Sequence, residues 1–435
     1  MSQVEPSWQR WGHRRITGAG IGRLLLAAWW LLDRVVPKRM DHWAFFGHPL
    51  KPDQLVENAR AVFEQARQRH DLHCHVFHRG GTPPLGLDPA GRAHVWELGS
   101  IAGLWALARC GVLMLTNSTA MDMSLAWRNG GFSAPRPAMR RRVVVNMWHG
   151  IPLKRLFALA NPAQRRHGDR IRSRRLERRH YDGLVASSDV DSHAMAAIFH
   201  PIPPSRVWAC GLPRNDFLLM PESQLPADLV ESLATLHRLR AGRRLVLYAP
   251  TYRDASVAER LSYPFSPDEI ERLAQVLQRH GAVLGLRGHY LANGPVALAS
   301  GAGHERPFLD LGHEHFPEIA PVLRASWAVV TDYSSVYIDA LCLERPVVSF
   351  AYDLEHYRDH QNGLLYHMGL AFPGPVARDF DALINALDRL LSGDGALPDD
   401  RYRMVQRIFF AHADANSAQR VIAHTQALVD ARRRR

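Results

Sequence analysis

The sequence is poor in lysine, poor in cysteine and short of any long apolar run, and each shortage closes off a class of protein. Of 54 basic residues only Lys38, Lys51 and Lys154 are lysines. The formal charge of +12 permits an anionic partner, but so one-sided a use of arginine reflects coding composition more than selection for phosphate contacts, and no nucleic-acid partner is expected. The four cysteines, Cys74, Cys110, Cys210 and Cys342, stand far apart, form no C-x-x-C pair and fall at no zinc-ligand spacing. They read as reduced core thiols of a cytoplasmic protein, which excludes a disulfide scaffold. The 24 histidines are scattered and H-E-x-x-H is absent. Gly312-His313-Glu314-His315 comes nearest to a metal cluster and is better read as a polar loop, so nothing demands a metal. The Walker loop, G-x-G-x-x-G and G-x-S-x-G are missing as well, which removes P-loop kinases, dinucleotide oxidoreductases and α/β-hydrolases.

The apolar stretch near the start, Ile16 to Val36, is broken by Arg23 and Asp33, leaving the uncharged run Leu24–Leu32. A bilayer span needs about 20 such residues, so this run cannot cross. No small-x-small cleavage site follows it, against a signal peptide. Trp29 and Trp30 among leucines, with Arg10, Arg14, Arg15 and Arg23 before them and Arg34, Lys38 and Arg39 after, suit an amphipathic helix lying in the headgroup region of an anionic membrane. A helix packed on the body of the protein is the alternative.

Beyond it, short apolar runs alternate with helical periodicity. His42–Phe46, Leu72–Phe77, Val112–Thr116, Val143–Met147 and Gly183–Ala186 read as strands, separated by helices such as Pro52–Arg69 and Ile101–Arg109. After a proline-bearing stretch around Pro221 and Pro226 the pattern restarts, with strands at Arg244–Tyr248, Val283–Leu286, Ala328–Thr331 and Val347–Phe350 and helices at Asp268–Arg279 and Ser335–Leu343. Such βα alternation specifies parallel sheets covered on both faces. The expected class is α/β, with two doubly wound Rossmann-like domains facing across a cleft. The expected division is an amphipathic membrane-associating segment over 1–40 and two Rossmann-like domains over 41–225 and 226–435. The run Arg165–Arg179 holds eight arginines in fifteen residues. It reads as a solvated helix face or as a contact for anionic lipid or a polyanionic acceptor.

Chemistry is expected where strands end, because a ligand of such a sheet lies at its carboxyl edge. The strand Val143–Met147 runs into Trp148-His149-Gly150-Ile151-Pro152, which presents His149 at the mouth of the sheet as a candidate base. The strand Ala328–Thr331 runs into Asp332-Tyr333-Ser334-Ser335 and then a helix, where Thr331, Ser334, Ser335 and the first free N–H groups suit a phosphate. Arg345 stands nearby in sequence. Arg287 and His289 leave another strand of the second half, placed to face His149.

These segments together resemble the CDP-glycerol glycerophosphotransferase family, the GT-B-like enzymes that build teichoic acids and related capsular polymers. The resemblance rests on Trp148–Lys154 (with Ile151 where the family usually has Thr), the Asp182–Asp189 strand end, Gly211-Leu212-Pro213-Arg214-Asn215-Asp216, Ala249–Asp254, Arg287-Gly288-His289-Tyr290, Thr331-Asp332-Tyr333-Ser334-Ser335, Arg345-Pro346 and Tyr352-Asp353-Leu354. Where members carry an Arg-Gly-Phe-Tyr-like stretch, this chain has Gln361-Asn362-Gly363-Leu364-Leu365-Tyr366. The resemblance implies transfer of a polyol phosphate, glycerol phosphate first, from a CDP-activated donor to a hydroxyl of a lipid-linked or polymer acceptor, with release of CMP at the inner face of the cell membrane. It implies an acceptor-side domain over 41–225 and a donor-binding domain over 226–435, with His149 and His289 as catalytic residues and Arg287, Thr331, Asp332, Ser334, Ser335 and Arg345 holding the donor. A nucleotide-sugar glycosyltransferase of the same architecture and a non-catalytic polyanion- or membrane-binding protein are the competing readings.

Overall fold

The computed structural model describes residues 19–48, 54–79, 93–128, 131–162, 168–251, 263–288, 307–361, 363–393 and 398–434. In the first half, β1 (Arg39–Phe46), β2 (His73–His78), β3 (Ala93–Glu97) and β4 (Cys110–Leu115) are followed by a small antiparallel hairpin, β5 (Ala126–Arg128) and β6 (Gly131–Ser133). The half is completed by β7 (Val143–Asn146), β8 (Gly183–Ala186) and β9 (Val207–Ala209). Apart from the hairpin these strands form one sheet in the order β3-β2-β1-β4-β7-β8-β9, every pair of it parallel. The second half holds β10 (Arg244–Tyr248), β11 (Ala282–Leu286), β12 (Phe308–Asp310), β13 (Ala328–Thr331), β14 (Val347–Phe350) and β15 (Val376–Ala377). They form a second all-parallel sheet, β12-β11-β10-β13-β14-β15.

The two-sided covering expected from sequence is visible residue by residue. All of Val143–Asn146, Ala328–Thr331 and Val347–Phe350 are buried, because helices lie on both faces of each sheet and each strand must be apolar along its whole length. The register Val112↔Val143, Leu113↔Val144 and Met114↔Val145 stacks aliphatic on aliphatic across the middle of the first sheet.

The chain passes to the second half through 221–226 and comes back at its end, where helix Ser417–Arg433 packs on helix Glu57–Ala66 of the first half. The Asp216 carboxylate, at the outgoing crossing, accepts the backbone N–H groups of Ser417 (2.9 Å) and Ala418 (2.8 Å) at the returning one.

Near the start, helix Ala19–Val35 corrects one expectation. Trp29 does not face outward with Trp30: it is buried and its indole N–H donates to the Leu104 carbonyl at 2.6 Å. Asp33, which in sequence merely interrupts an apolar run, is buried in an ion pair with Arg142 and accepts from Lys38 Nζ at 2.9 Å. One face of the helix thus belongs to the packed body. The other leaves Leu31 62% and Val35 71% exposed, and the neighbouring helix Ile101–Arg109 leaves Ile101 78% exposed. Among the described residues, no helix is long and apolar enough to cross a membrane.

Candidate active site

The carboxyl ends of the two sheets enclose a cavity of about 370 Å³. Its walls come from the segments after β7, β10, β11 and β13, joined by Glu57, Arg214, His313 and Asp339.

His149 owes its place to an over-determined turn. The chain leaves β7 with Trp148 at φ +52° and Gly150 at φ +152°, conformations that cost a side-chain-bearing residue of order 1–3 kcal/mol. Three hydrogen bonds hold the turn: Asn146 Oδ1 accepts from Trp148 N (2.9 Å), and Asn58 Nδ2 donates to the carbonyls of Met147 (3.1 Å) and Trp148 (3.0 Å). At Gly150 a Cβ would stand 3.2 Å from Arg214 Nη2 and 3.4 Å from Ser335 Oγ. The glycine therefore lets the first half approach the second closely at this point.

The His149 ring stacks on Trp148 with centroids 3.9 Å apart, and its Nδ1 lies 3.4 Å from the Thr116 carbonyl. A carbonyl can only accept, so Nδ1 carries the proton and Nε2 keeps a lone pair. Burial pushes the imidazole pKa down to about 4; the Thr116 contact opposes this, and the charges of Arg214 and Lys154 add to it. At neutral pH His149 is an uncharged base.

Across the cavity Asp332 acts as a strand-end clamp. Its Oδ1 accepts from the backbone N–H of Thr251 (2.8 Å) and of Tyr333 (2.6 Å), tying the end of β10 to the end of β13. Thr331, which the sequence offers to a phosphate, is fully buried, and its hydroxyl donates to the Ala249 carbonyl at 2.7 Å. It sets the strand ends and lies outside the cavity wall. Ser334 and Ser335 do line the cavity. The helix they precede, Val336–Leu341, is short; Ser335 makes no side-chain cap bond and Ser334 Oγ receives only a long 3.4 Å contact from Val336 N. Their hydroxyls are therefore little used for capping.

Arg345 is a correction. It precedes the amino end of β14, on the edge of the sheet away from the cavity, where Nη2 donates to the Arg324 carbonyl at 3.1 Å and its own carbonyl accepts from the Tyr402 hydroxyl at 2.7 Å. It is structural. Arg287 reaches the cavity, but four of its five N–H groups are engaged: to the carbonyls of Leu311 (2.8 Å), Phe316 (2.7 Å) and Pro317 (3.4 Å), and to Nδ1 of His313 (2.9 Å). Burial pushes its pKa down to about 10. It positions the 311–317 loop and fixes the His313 proton on Nε2. His289 lies outside the described residues. Gly312–His315 is divided: His313 answers Arg287, while His315 faces Asp310 at 3.7 Å.

Several site residues have no local signature in the sequence. Arg214, which enters the sequence reading only within the Gly211–Asp216 segment of the family resemblance, donates Nη1 to the His149 carbonyl (2.8 Å) and Nη2 to Asp339 Oδ2 (2.6 Å), joining the two halves directly behind the imidazole. Burial works against its charge, and the carboxylates of Asp339 and Glu57 outweigh that. Glu57 sits 3.7 Å from Arg214, and its backbone N–H donates to Glu318 Oε1 at 2.8 Å. Burial pushes the Glu318 carboxyl up to about 7, with Glu57 adding to the effect.

Two parallel α/β halves, with an imidazole on one rim of the cavity and paired hydroxyls on the other, have the GT-B-like architecture. The chain belongs to the CDP-glycerol:poly(glycerophosphate) glycerophosphotransferase family, whose model matches residues 35–425. It is 26% identical over 348 residues to the teichoic acid poly(glycerol phosphate) polymerase of Bacillus subtilis strain 168, a match covering 78% of this chain and 43% of that relative. It is 24% identical to the teichoic acid ribitol-phosphate primase of Bacillus spizizenii, covering 91% of this chain and 93% of the relative. In fold it is similar to a solved structure of the wall teichoic acid polymerase TagF, with TM-score 0.71 and 18% identity over 95% of this chain and 96% of that one.

Proposed function

We propose that the protein transfers a polyol phosphate, glycerol phosphate in the first instance, from a CDP-activated donor to a hydroxyl of a cell-surface polymer acceptor, with CMP leaving. The observation that carries this reading is the neutral His149 with a free Nε2 lone pair, lining the same cavity as Ser334 and Ser335. His149 takes the acceptor's proton as its oxygen attacks the phosphorus bearing the polyol. The bond to the CMP oxygen breaks, and CMP carries the electron pair away. Ser334, Ser335, Lys154 and the Nε2 proton of His313 face the charge that develops on the split pyrophosphate. His289, from the same strand end as Arg287, is assigned to that group as well.

The exposed apolar residues of helix Ala19–Val35 and its neighbour, with Arg34 and Arg109 beside them, support peripheral attachment to an anionic membrane surface, where a lipid-linked acceptor would meet a donor arriving from the cytoplasm. The test of the activity is a donor panel of CDP-glycerol, CDP-ribitol, UDP-sugars and GDP-sugars, with a polyol-phosphate polymer as acceptor and mass analysis of the product. Turnover of a CDP-polyol with CMP release is the expected result. Turnover of sugar nucleotides alone would replace this reading with the glycosyltransferase one.

A further inference from the structure

Directly behind Trp148 lies a second, smaller cavity of about 50 Å³. At about 10–15 Å³ per water it holds about four waters, or one tetrahedral oxyanion, and is too small for a sugar or a base. It shares the rings of Trp148 and Phe157 with the main cavity and is closed on its far side by Phe199 and Arg178.

Arg178 is an unusual member of the arginine-rich helix Gly168–Arg178. Arg172, Arg175 and Arg179 are exposed to solvent, as a solvated face requires, whereas Arg178 is only 6% exposed. Its guanidinium lies over Phe157 at 4.1 Å and Phe199 at 4.8 Å. Its one hydrogen bond runs from Nη1 to the Ile198 carbonyl at 3.1 Å, and it pairs with no carboxylate among the described residues. Glu177, its neighbour in the chain, is taken by the Tyr181 hydroxyl (2.7 Å) and the Thr119 N–H (2.8 Å). A buried cation held between two rings with no carboxylate at ion-pair distance among the described residues, Glu177 acting on it only from farther off, and with N–H groups to spare at a cavity that admits an oxyanion, is poised for an anionic ligand.

We infer that this small cavity binds a phosphate group of the acceptor, with Arg178 as its principal cation and Arg174 at its mouth. The inference rests on the proposed polyol-phosphate transfer for the identity of the ligand. In a polymer of that kind the reacting hydroxyl and the preceding phosphodiester are separated by one polyol. The two cavities share the Trp148 and Phe157 rings, so a phosphate held at Arg178 would lie next to the cavity that contains His149. Recognition of that phosphate would make a charged, already primed acceptor a better substrate than a free polyol.

The test has a binding arm and a kinetic arm, both on the full chain. In the first, titration of sn-glycerol 3-phosphate into the wild type, Arg178→Gln, Arg178→Lys and the exposed-face control Arg172→Gln is followed by calorimetry, with thermal melts confirming that each is folded. Loss of one charge-assisted pair weakens binding by about ten- to a hundredfold, so Arg178→Gln should fall by that factor, Arg178→Lys by less, and Arg172→Gln not at all. Equal affinity in wild type and a folded Arg178→Gln overturns the inference. In the second arm, Arg178→Gln should raise the acceptor KM by a similar factor and leave the donor KM unchanged. A rise in donor KM instead would place the site on the donor's path and equally overturn it. If the wild type turns over no CDP-polyol, the proposed function fails while the binding arm still decides the anion site.

Discussion

A base with a pKa near 4 makes a sharp kinetic prediction, because an ordinary imidazole titrates near 6.5. At pH 5.5 an ordinary histidine is about 90% protonated and kcat/KM would have fallen about tenfold from its value at pH 7.5. With the pKa lowered to about 4, His149 is still about 97% neutral at pH 5.5, so the rate should hold to within a few per cent and its acid limb should appear only below about pH 5. The sign follows from burial: desolvation disfavours the imidazolium, so the active neutral form survives to lower pH. The assay is initial-rate CMP release from CDP-glycerol, as kcat/KM between pH 4 and 8, with the fold checked by circular dichroism at each point. Lys154→Met supplies an internal control, since removing a nearby cation that depresses the His149 pKa must move the limb upward. A wild-type limb near 6.5, or a Lys154→Met limb displaced downward, would refute the assignment of His149 as the buried base.

Ser334→Ala with Ser335→Ala should raise the donor KM at least tenfold while shifting the melting temperature little, because neither hydroxyl makes a short cap bond; a lower melting temperature with unchanged kinetic constants would return both residues to structure. Asp339→Ala leaves buried Arg214 with only the longer Glu57 contact and should cost up to about 3–5 kcal/mol, whereas Arg214→Met with Asp339→Leu should recover most of that stability without restoring turnover; urea denaturation of wild type and the two variants reads the difference. For membrane attachment, deletion of residues 1–39 is the wrong probe, since it removes Asp33 and leaves Arg142 buried without its partner. Leu31→Glu with Val35→Glu, both on the exposed face, should instead abolish co-sedimentation with anionic vesicles at an unchanged melting temperature, and undiminished pelleting would move the contact elsewhere.

The parts of the fold legible in the sequence are those where one physical constraint acts on consecutive residues. Arg244–Tyr248, Ala328–Thr331 and Val347–Phe350 are strands over the very residues expected, because a parallel strand buried on both faces reads as a near-continuous apolar run. Three of the four edge strands, Ala93–Glu97, Phe308–Asp310 and Val376–Ala377, have no such signal in the sequence: an edge strand pairs on one side only and its pattern is too short to stand out. The same division holds at the site. His149, Ser334 and Ser335 announce themselves as polar residues at the end of apolar runs. Glu57, Arg214, Asp339 and Glu318 become a group only when two sheets meet, and no window of sequence contains that meeting. Arg345 shows the converse error, since closeness along the chain to a strand does not say which end of the strand a residue occupies.

The halves are joined by two lengths of chain, and Asp216 fastens the outgoing one to the returning one through the N–H groups of Ser417 and Ala418. A pair of bodies linked by a single tether can twist, slide and separate independently. Two tethers clasped at one place resist sliding along the cleft, because sliding would shear the Asp216 bonds, and the Arg214 contacts to Asp339 and to the His149 carbonyl hold the same register at the cavity itself. Residues 201 positions apart in the chain thus help to set how the His149 and Ser335 rims stand to one another.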